Sequence, residues 1–406
     1  MKKDLDALMK KMNVDAIYAE GHASRDTNMY YLLNGANIFA HYIKKRGKKA
    51  YVIHTPIERE VAEKTGHRLI NLNKYDRQKL IEKYKDADKA NAYFVAKLFD
   101  ELKVKGSVIF YGNFPLGAGY KYMKHILRFN KNVKLHDGNE RGLITRARMT
   151  KGDDEILRMR KVRDAVINAF DVMLSSARKC SIRSGILTVG RKRKLLIGDL
   201  RNIIRRELFA NGVTDSGGMI VAQGRDASVP HNSGRDRQPV RAGVPIVFDI
   251  FPQEIGGGYF FDFTRTICFG FAPRHIKLLY NTVSCAHDYA CSLLKVGSRT
   301  RDIEQKICEY FEEKGHRTLL SDKKVQIGYC HSLGHGLGLN IHESPFFNLS
   351  RRNEYYVEPN MVFTIEPGLY YPQKGYGARI EDVIHVTKKG KVVNLTKYPR
   401  KLVVPM

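Results

Sequence analysis

Between residues 1 and 145, short apolar runs rich in β-branched and aromatic residues alternate with stretches where apolar side chains are interleaved with charge. VDAIYAE (14–20), KKAYVIHT (48–55) and KGSVIFYG (105–112) read as strands, and IEREVAEKTG (57–66) and AYFVAKLFDELK (92–103) as helices. That alternation predicts a small α/β domain. The sequence turns polar at TRARMTKG (145–152), and a long helix is expected to open at Asp153 or Asp154. Met159, Val162, Val166, Phe170 and Met173, three or four apart, would form its buried face. The second part runs one plan twice. Helices at 153–178 and 192–210 precede a β-like segment at 244–270, and helices at 273–294 and 300–314 precede β-like segments from 325 to 388. In the helix at 192–210 the pattern places Leu196, Leu200, Ile203 and Ile204 inward and Arg201, Arg205 and Arg206 outward. The expected architecture is α+β in two domains, 1–148 and 149–406.

Composition narrows the class. With 406 residues, 43% of them hydrophobic, the chain can bury two moderate cores. MKKDLDALMKKM carries the charges of a signal peptide without its apolar stretch, and no eighteen-residue apolar run occurs, so a cytoplasmic protein is expected, with no membrane partner. The six cysteines show no C-x-x-C pair, which favours free thiols over a disulfide framework or structural zinc. The net charge of +28 is spread along the chain, densest at KKRGKK (44–49) and RKRK (191–194). Aromatics are not interleaved with these runs, so the reading favours a solvated face over a nucleic-acid partner.

The stretch HSLGHGLGLNIHESP (331–345) holds three histidines, two of them four apart as on a zinc-binding helix. Ser332 and Leu333 stand where such a helix needs a glutamate, and three glycines, each costing about 1 kcal/mol relative to alanine in a helix, favour a strand or tight loop. The partners of these histidines therefore come from elsewhere. Four acidic residues sit inside segments that otherwise read as core: Asp249 after VPIVF, Asp262 in GGGYFFDFTRT, Glu366 ending MVFTIE and Glu381 in GARIEDVIHV. Four carboxylates in one pocket must be protonated, separated or neutralised by cations. Two divalent ions would balance their charge. An oxygen-rich set with one imidazole suits Mn²⁺, Co²⁺, Fe²⁺ or Zn²⁺.

The ordered set Asp249, Asp262 in DFTRT, His335 in GHGLG, Glu366 in TIEPG and Glu381 in RIED resembles the dinuclear metal signature of the pita-bread metallopeptidases. That family includes methionine aminopeptidase, aminopeptidase P, prolidase and creatinase. The likeness covers roughly 150–400, and the preceding α/β segment resembles the creatinase-type amino-terminal domain of the proline-specific members. The resemblance implies a pita-bread catalytic domain, two divalent ions per chain with Mn²⁺ favoured, and all five residues as ligands, Asp262 and Glu381 bridging. It also implies hydrolysis of Xaa-Pro bonds by a hydroxide held between the ions, dipeptides being favoured over longer peptides, and a homodimer. Glu366 would carry the proton, His342 would assist at the carbonyl, and His231 in SVPHNSG would approach the scissile amide. Arg379 would orient a bridging carboxylate or pair with substrate. His331 matches no catalytic role, and His54 and His385 read as core or surface. Phe251 stands where the family carries glycine, and the interval DIFPQEIGGGYFFD runs slightly long. The rival class is a peptidase fold without catalysis that uses its basic surface to bind nucleic acid or protein.

Overall fold

A computed structural model describes residues 4–136 and 142–406, so the first three residues of MKKDLDALMKKM lie outside the described ones. The chain divides into two compact units, Met1–Arg148 and Met149–Met406.

In the first unit, six strands form one sheet: β1 (Ala16–His22), β2 (Phe39–Lys45), β3 (Tyr51–His54), β4 (Arg68–Asn71), β5 (Gly106–Gly112) and β6 (Val133–Leu135), in the order β4-β3-β2-β1-β5-β6. β1 pairs antiparallel with β2 and parallel with β5. The three strands expected from sequence are β1, β3 and β5. The helix Ala87–Glu101 is capped by Asp86, which accepts from the Lys89 amide, and buries Phe94, Val95, Leu98 and Phe99. Tyr18 of β1 meets the Phe99 ring edge to face at 5.5 Å. IEREVAEKTG makes only a 3₁₀ turn, Pro56–Glu58, and a five-residue helix, Arg59–Glu63. It leaves a single fully buried apolar residue, Ala62, too little to hold a longer helix.

The second unit opens with the helix Asp153–Arg178, whose first turn holds three acids at the positive end of the helix dipole. Met159, Val162, Val166, Phe170 and Met173 are all buried. The next helix, Ile197–Ala210, begins five residues later than expected. RKRK instead forms part of a small three-stranded sheet, Ser181–Arg183, Ile186–Val189 and Arg193–Lys194. Arg201 does not point outward as its spacing suggested: it is buried, donates to the Ser233 carbonyl and pairs with Asp236. A guanidinium enters this packed face because a carbonyl and a carboxylate are there to receive it.

Each helix pair precedes a sheet. Met219–Gln223, Ile246–Ile250 and Phe263–Phe269 form three neighbouring strands of one. The helices Arg274–Leu293 and Thr300–Glu313 precede the other, where Gly334–Gly336 lies between Glu343–Phe347 and Val362–Ile365, followed by Asp382–Val386. The two sheets are stitched together. Thr264 bridges Glu381, and the Thr266 hydroxyl donates to the Arg379 carbonyl and accepts from the Arg379 amide, both at 2.9 Å. GHG is a strand, and its glycines are demanded by close approach. A Cβ at Gly334 would lie 2.0 Å from the Thr364 carbonyl oxygen, and one at Gly336 2.1 Å from that of Ser344. The long interval after Asp249 folds as a hairpin. Gln253–Glu254 pairs with Val213–Thr214, and Gly256, Gly257 and Gly258 turn with φ of +83°, +96° and +140°. Arg158 clamps Glu254 there with its Nε at 3.0 Å.

Candidate metal centre

The seam brings Asp249, Asp262, His335, Glu366 and Glu381 onto the wall of one cavity of about 750 Å³, together with His231, His331, His342 and Arg379. Asp249 and Asp262 come from or abut the first sheet, His335 and Glu366 from the second, and Glu381 from the stitch between them. Alternation along Ile246–Ile250 is overridden, since all five of its residues are buried. The carboxylate at position 249 is held instead by Arg379, whose Nη2 donates to its Oδ2.

His335 is fixed by the hydrogen bond from Nδ1 to the Gly336 carbonyl, 3.0 Å away. With the proton on that nitrogen, Nε2 presents its lone pair to the site, 3.8 Å from Asp262 Oδ2 and 3.4 Å from Glu366 Oε1. Burial, then the neighbouring His342, pushes the imidazole down to about 3, so it stays neutral and able to ligate. Ligand atoms of Asp262, His335 and Glu381 lie within 4.8 Å of one another, all three residues buried. Burial, then the negative charge of Glu381, holds Asp262 well above the usual carboxylate range. Glu366 is raised the same way, and Glu381 is pushed up to about 8 by burial and then by Asp249.

One oxygen of each of Asp249, Asp262 and Glu381 is buried without a hydrogen-bond partner among the described residues. Buried acceptors facing one another without donors are costly unless cations meet them, so these residues fit a divalent metal pair.

A stability prediction follows from the sign of these shifts. With cations chelated, the folded state keeps protons on Asp262, Glu366 and Glu381 that the unfolded chain releases near pH 3.8 for the aspartate and near pH 4.5 for the two glutamates. The folded state then binds more protons than the unfolded one, and stability must fall as pH rises from about 5 to about 8, by an amount on the order of several kcal/mol. Added Mn²⁺ should flatten this slope. Glu304, also pushed up to about 8 by burial, leaves a remainder. Melting temperatures of chelated and Mn²⁺-loaded protein at pH 5 and pH 8 check this, and identical pH profiles would exclude it.

The other expected residues divide. His342 sits edge to face with His335, ring centroids 4.2 Å apart, and reaches the cavity from an exposed position. The neighbouring Glu343 anchors its loop by accepting from buried Lys151 at 2.7 Å. His231 also lines the cavity and is exposed. Arg379 contacts Asp249 rather than either expected bridging carboxylate, and it donates to the Tyr370 hydroxyl at 2.8 Å. His331, read as structural, lines the cavity with Nε2 2.9 Å from that same hydroxyl. His54 and His385 lie outside the cavity wall.

Several contributors were not read from sequence. Thr264 donates to Glu381 Oε2 at 2.7 Å, leaving only Oε1 free. Glu304 props the GHG strand from below, accepting from the Leu333 amide at 2.7 Å and the Tyr329 hydroxyl at 3.0 Å. Its signal was available: an acid on the same helix face as Cys308 and Phe311, which are buried. Arg201 and Arg205 also line the cavity, from the helix face read as outward.

The chain is similar to proteins of known family. It is 32% identical over 259 residues to a putative dipeptidase, YkvY, of Bacillus subtilis, a match that spans 63% of each chain and leaves more than a third of that relative uncovered. It is 25% identical over 403 residues to an Xaa-Pro dipeptidase of Pyrococcus furiosus, covering 99% of this chain and 100% of the relative. The crystal structure of an X-Pro aminopeptidase from Thermotoga maritima superposes with a TM-score of 0.74 at 21% identity, covering 98% of this chain and 99% of that one. That likeness establishes the fold, the pita-bread arrangement preceded by an α/β unit. The sequence model of metallopeptidase family M24 matches residues 157–388, more than half of the chain and a range that includes Asp249, Asp262, His335, Glu366 and Glu381, and the protein belongs to that family.

Proposed function

We propose that the chain is a hydrolase that cleaves the bond between a first residue and a following proline in short peptides, dipeptides above all, with two divalent cations. Asp249, Asp262, His335, Glu366 and Glu381 are the proposed ligands. Asp262 and Glu381 would be shared by both ions, with Asp249 holding one and His335 and Glu366 the other. The donor set carries this reading: four carboxylates and one neutral imidazole on a single cavity wall, with unpartnered buried oxygens on Asp249, Asp262 and Glu381. Bound there, the cations would polarise the scissile carbonyl and lower the pKa of water, with Mn²⁺ favoured over Co²⁺, Fe²⁺ or Zn²⁺.

The chain's own side chains divide the remaining work. Glu366, its side chain 16% exposed at the cavity, would take a proton from attacking water and deliver it to the leaving nitrogen. His342 reaches the cavity free to donate to the carbonyl oxygen, and His231 approaches the amide from the cavity wall. Arg379 is a positioning residue. Buried and bound to Asp249 and Tyr370, it fixes the Asp249 carboxylate instead of meeting substrate.

Proline specificity rests on the Pyrococcus relative, named an Xaa-Pro dipeptidase, and the Thermotoga enzyme, named an X-Pro aminopeptidase. Proline's imide nitrogen lacks a donor, which a site that activates the carbonyl can tolerate. The reading includes a homodimer in the cytoplasm. No helix among the described residues is long and apolar enough to cross a membrane. The rival, a binding module without catalysis, requires a lost ligand, and all five line the cavity.

The test compares Ala-Pro, Ala-Pro-Ala and Ala-Ala at equal concentration with Mn²⁺, Co²⁺ and Zn²⁺ in turn. Fastest cleavage of Ala-Pro is the expected result. Faster turnover of the tripeptide would make the enzyme an aminopeptidase, and Ala-Ala cleaved as fast as either would sink proline specificity.

A further inference from the structure

The basic excess looks diffuse along the chain, yet the sheet of the first unit sorts it. β1, β5 and β6 are parallel to one another, and β2 runs against β1, so the chain segments leading into β1, β5 and β6 gather at the same end as the β2–β3 turn. β3 and β4 both begin at that end, where Tyr51 pairs with Arg68. The Arg46 amide donates to the Asp15 carbonyl at 2.9 Å, the Asp15 amide to Ser107 at 2.8 Å, and the Gly106 amide to Asn132 at 2.9 Å. These contacts lock the segments side by side.

Each segment is cationic. Lys10 and Lys11 precede β1, and Arg46, Lys48 and Lys49 form the β2–β3 turn, all exposed. Lys64 and Arg68 lead into β4, Lys103 and Lys105 into β5, and Lys131 into β6, again all exposed. Of the acids close by, Asp15 accepts from Arg46 at 2.7 Å, Asp6 from Lys44 at 3.0 Å, and Glu101 pairs with Lys74 at 3.5 Å, while Asp100 accepts from Asn130 at 2.8 Å.

Six strands about 4.8 Å apart make this row roughly 24 Å long. A duplex presents one phosphate charge per ~1.7 Å of axis, so a line of cations of that length can meet many at once. Tyr51, the aromatic beside Arg68 at this end, is half-buried with the Arg68 guanidinium 5.5 Å from its ring centroid, so it is engaged within the protein and not presented to unpaired bases. Val14, Ala50 and Val104 are buried, leaving no large apolar side chain to insert into a bilayer. We propose that this end of the first unit is a docking surface for the phosphate backbone of double-stranded nucleic acid, bound by ion pairing without regard to base sequence.

The full chain tests it, with a duplex of about twenty base pairs, a single strand of the same length, and vesicles containing phosphatidylserine. Duplex affinity should fall by at least about 10³ between 50 and 200 mM salt, as for six or more phosphate contacts. A variant combining Lys48→Gln, Lys49→Gln, Lys103→Gln and Lys105→Gln should reduce the log–log salt slope by roughly 3 to 4. A matched variant with Lys323→Gln, Lys324→Gln, Lys388→Gln and Lys389→Gln, exposed positions of the second unit, should leave the slope unchanged. Both should keep wild-type melting temperature and Ala-Pro turnover, which separates this surface from the cavity. Absence of duplex binding at 50 mM salt would overturn the proposal. Equal loss in both variants would overturn it too, by assigning binding to net charge alone, and so would preference for the single strand or the vesicles.

Discussion

Replacing Asp262 or Glu381 by alanine should abolish turnover and empty the centre of both cations at once. Each carboxylate is proposed to serve two ions, so its loss removes a ligand from both and leaves three acids where charge balance needs four. The expected fall in rate exceeds the roughly 10²–10³ typical for loss of one oxyanion donor. Metal content by elemental analysis and turnover of Ala-Pro give the primary readouts. Metal-free melting supplies a second that distinguishes a lost ligand from a broken fold. Burial holds both carboxyls high, with Glu381 raising Asp262 further and Asp249 raising Glu381. Removing either should therefore leave the chelated protein at pH 8 at least as stable as chelated wild type, with a shallower pH slope. A variant that keeps two cations per chain and normal turnover would exclude the assignment. One that melts far below chelated wild type would show the carboxylate to be a fold determinant instead.

Replacing His342 by alanine should lower kcat by about 10²–10³ while both cations remain bound. The residue stands at the cavity beside His335, ring against ring at 4.2 Å, but belongs to the exposed side of its loop. Glu343, not His342, anchors that loop through Lys151, so the substitution should not let the loop collapse. Metal retained with activity lost places His342 on the substrate. Loss of metal would mean that ligand and helper have been interchanged. A rate unchanged within twofold would remove it from the reaction altogether.

How much of this was legible in advance depends on the range of the interaction. The long helix of the second unit could be read from the spacing of Met159, Val162, Val166, Phe170 and Met173, because helical periodicity is local. GHG could be read as non-helical, a strand or tight loop, because three glycines disfavour a helix, and the structure makes it a strand. The four carboxylates among the proposed ligands were legible for a different reason: a charge inside an apolar run is costly, and each of four such runs carried one, whereas His335 was singled out only by the resemblance of GHGLG to a family motif. Arg201 escaped, since the pattern that put it outside could not include Ser233 and Asp236, more than thirty residues on. Glu304 escaped although it sits on a buried helix face, because its purpose lies in the Leu333 amide and the Tyr329 hydroxyl. Arg379 was seen, but its partner was not, since pairing with Asp249 joins positions 130 residues apart.

The sequence by itself determined the long helix of the second unit and its buried face, and it singled out the four carboxylates proposed as ligands, because periodicity and misplaced charge act within a few residues. Only the tertiary structure decided which carboxylates share a cavity, which oxygens are left without donors, and where the basic excess gathers. Those depend on sheet register and on strand direction. Lysines from segments as far apart as 10 and 131 become neighbours only when β1, β5 and β6 lie parallel, a long-range choice that no local pattern encodes.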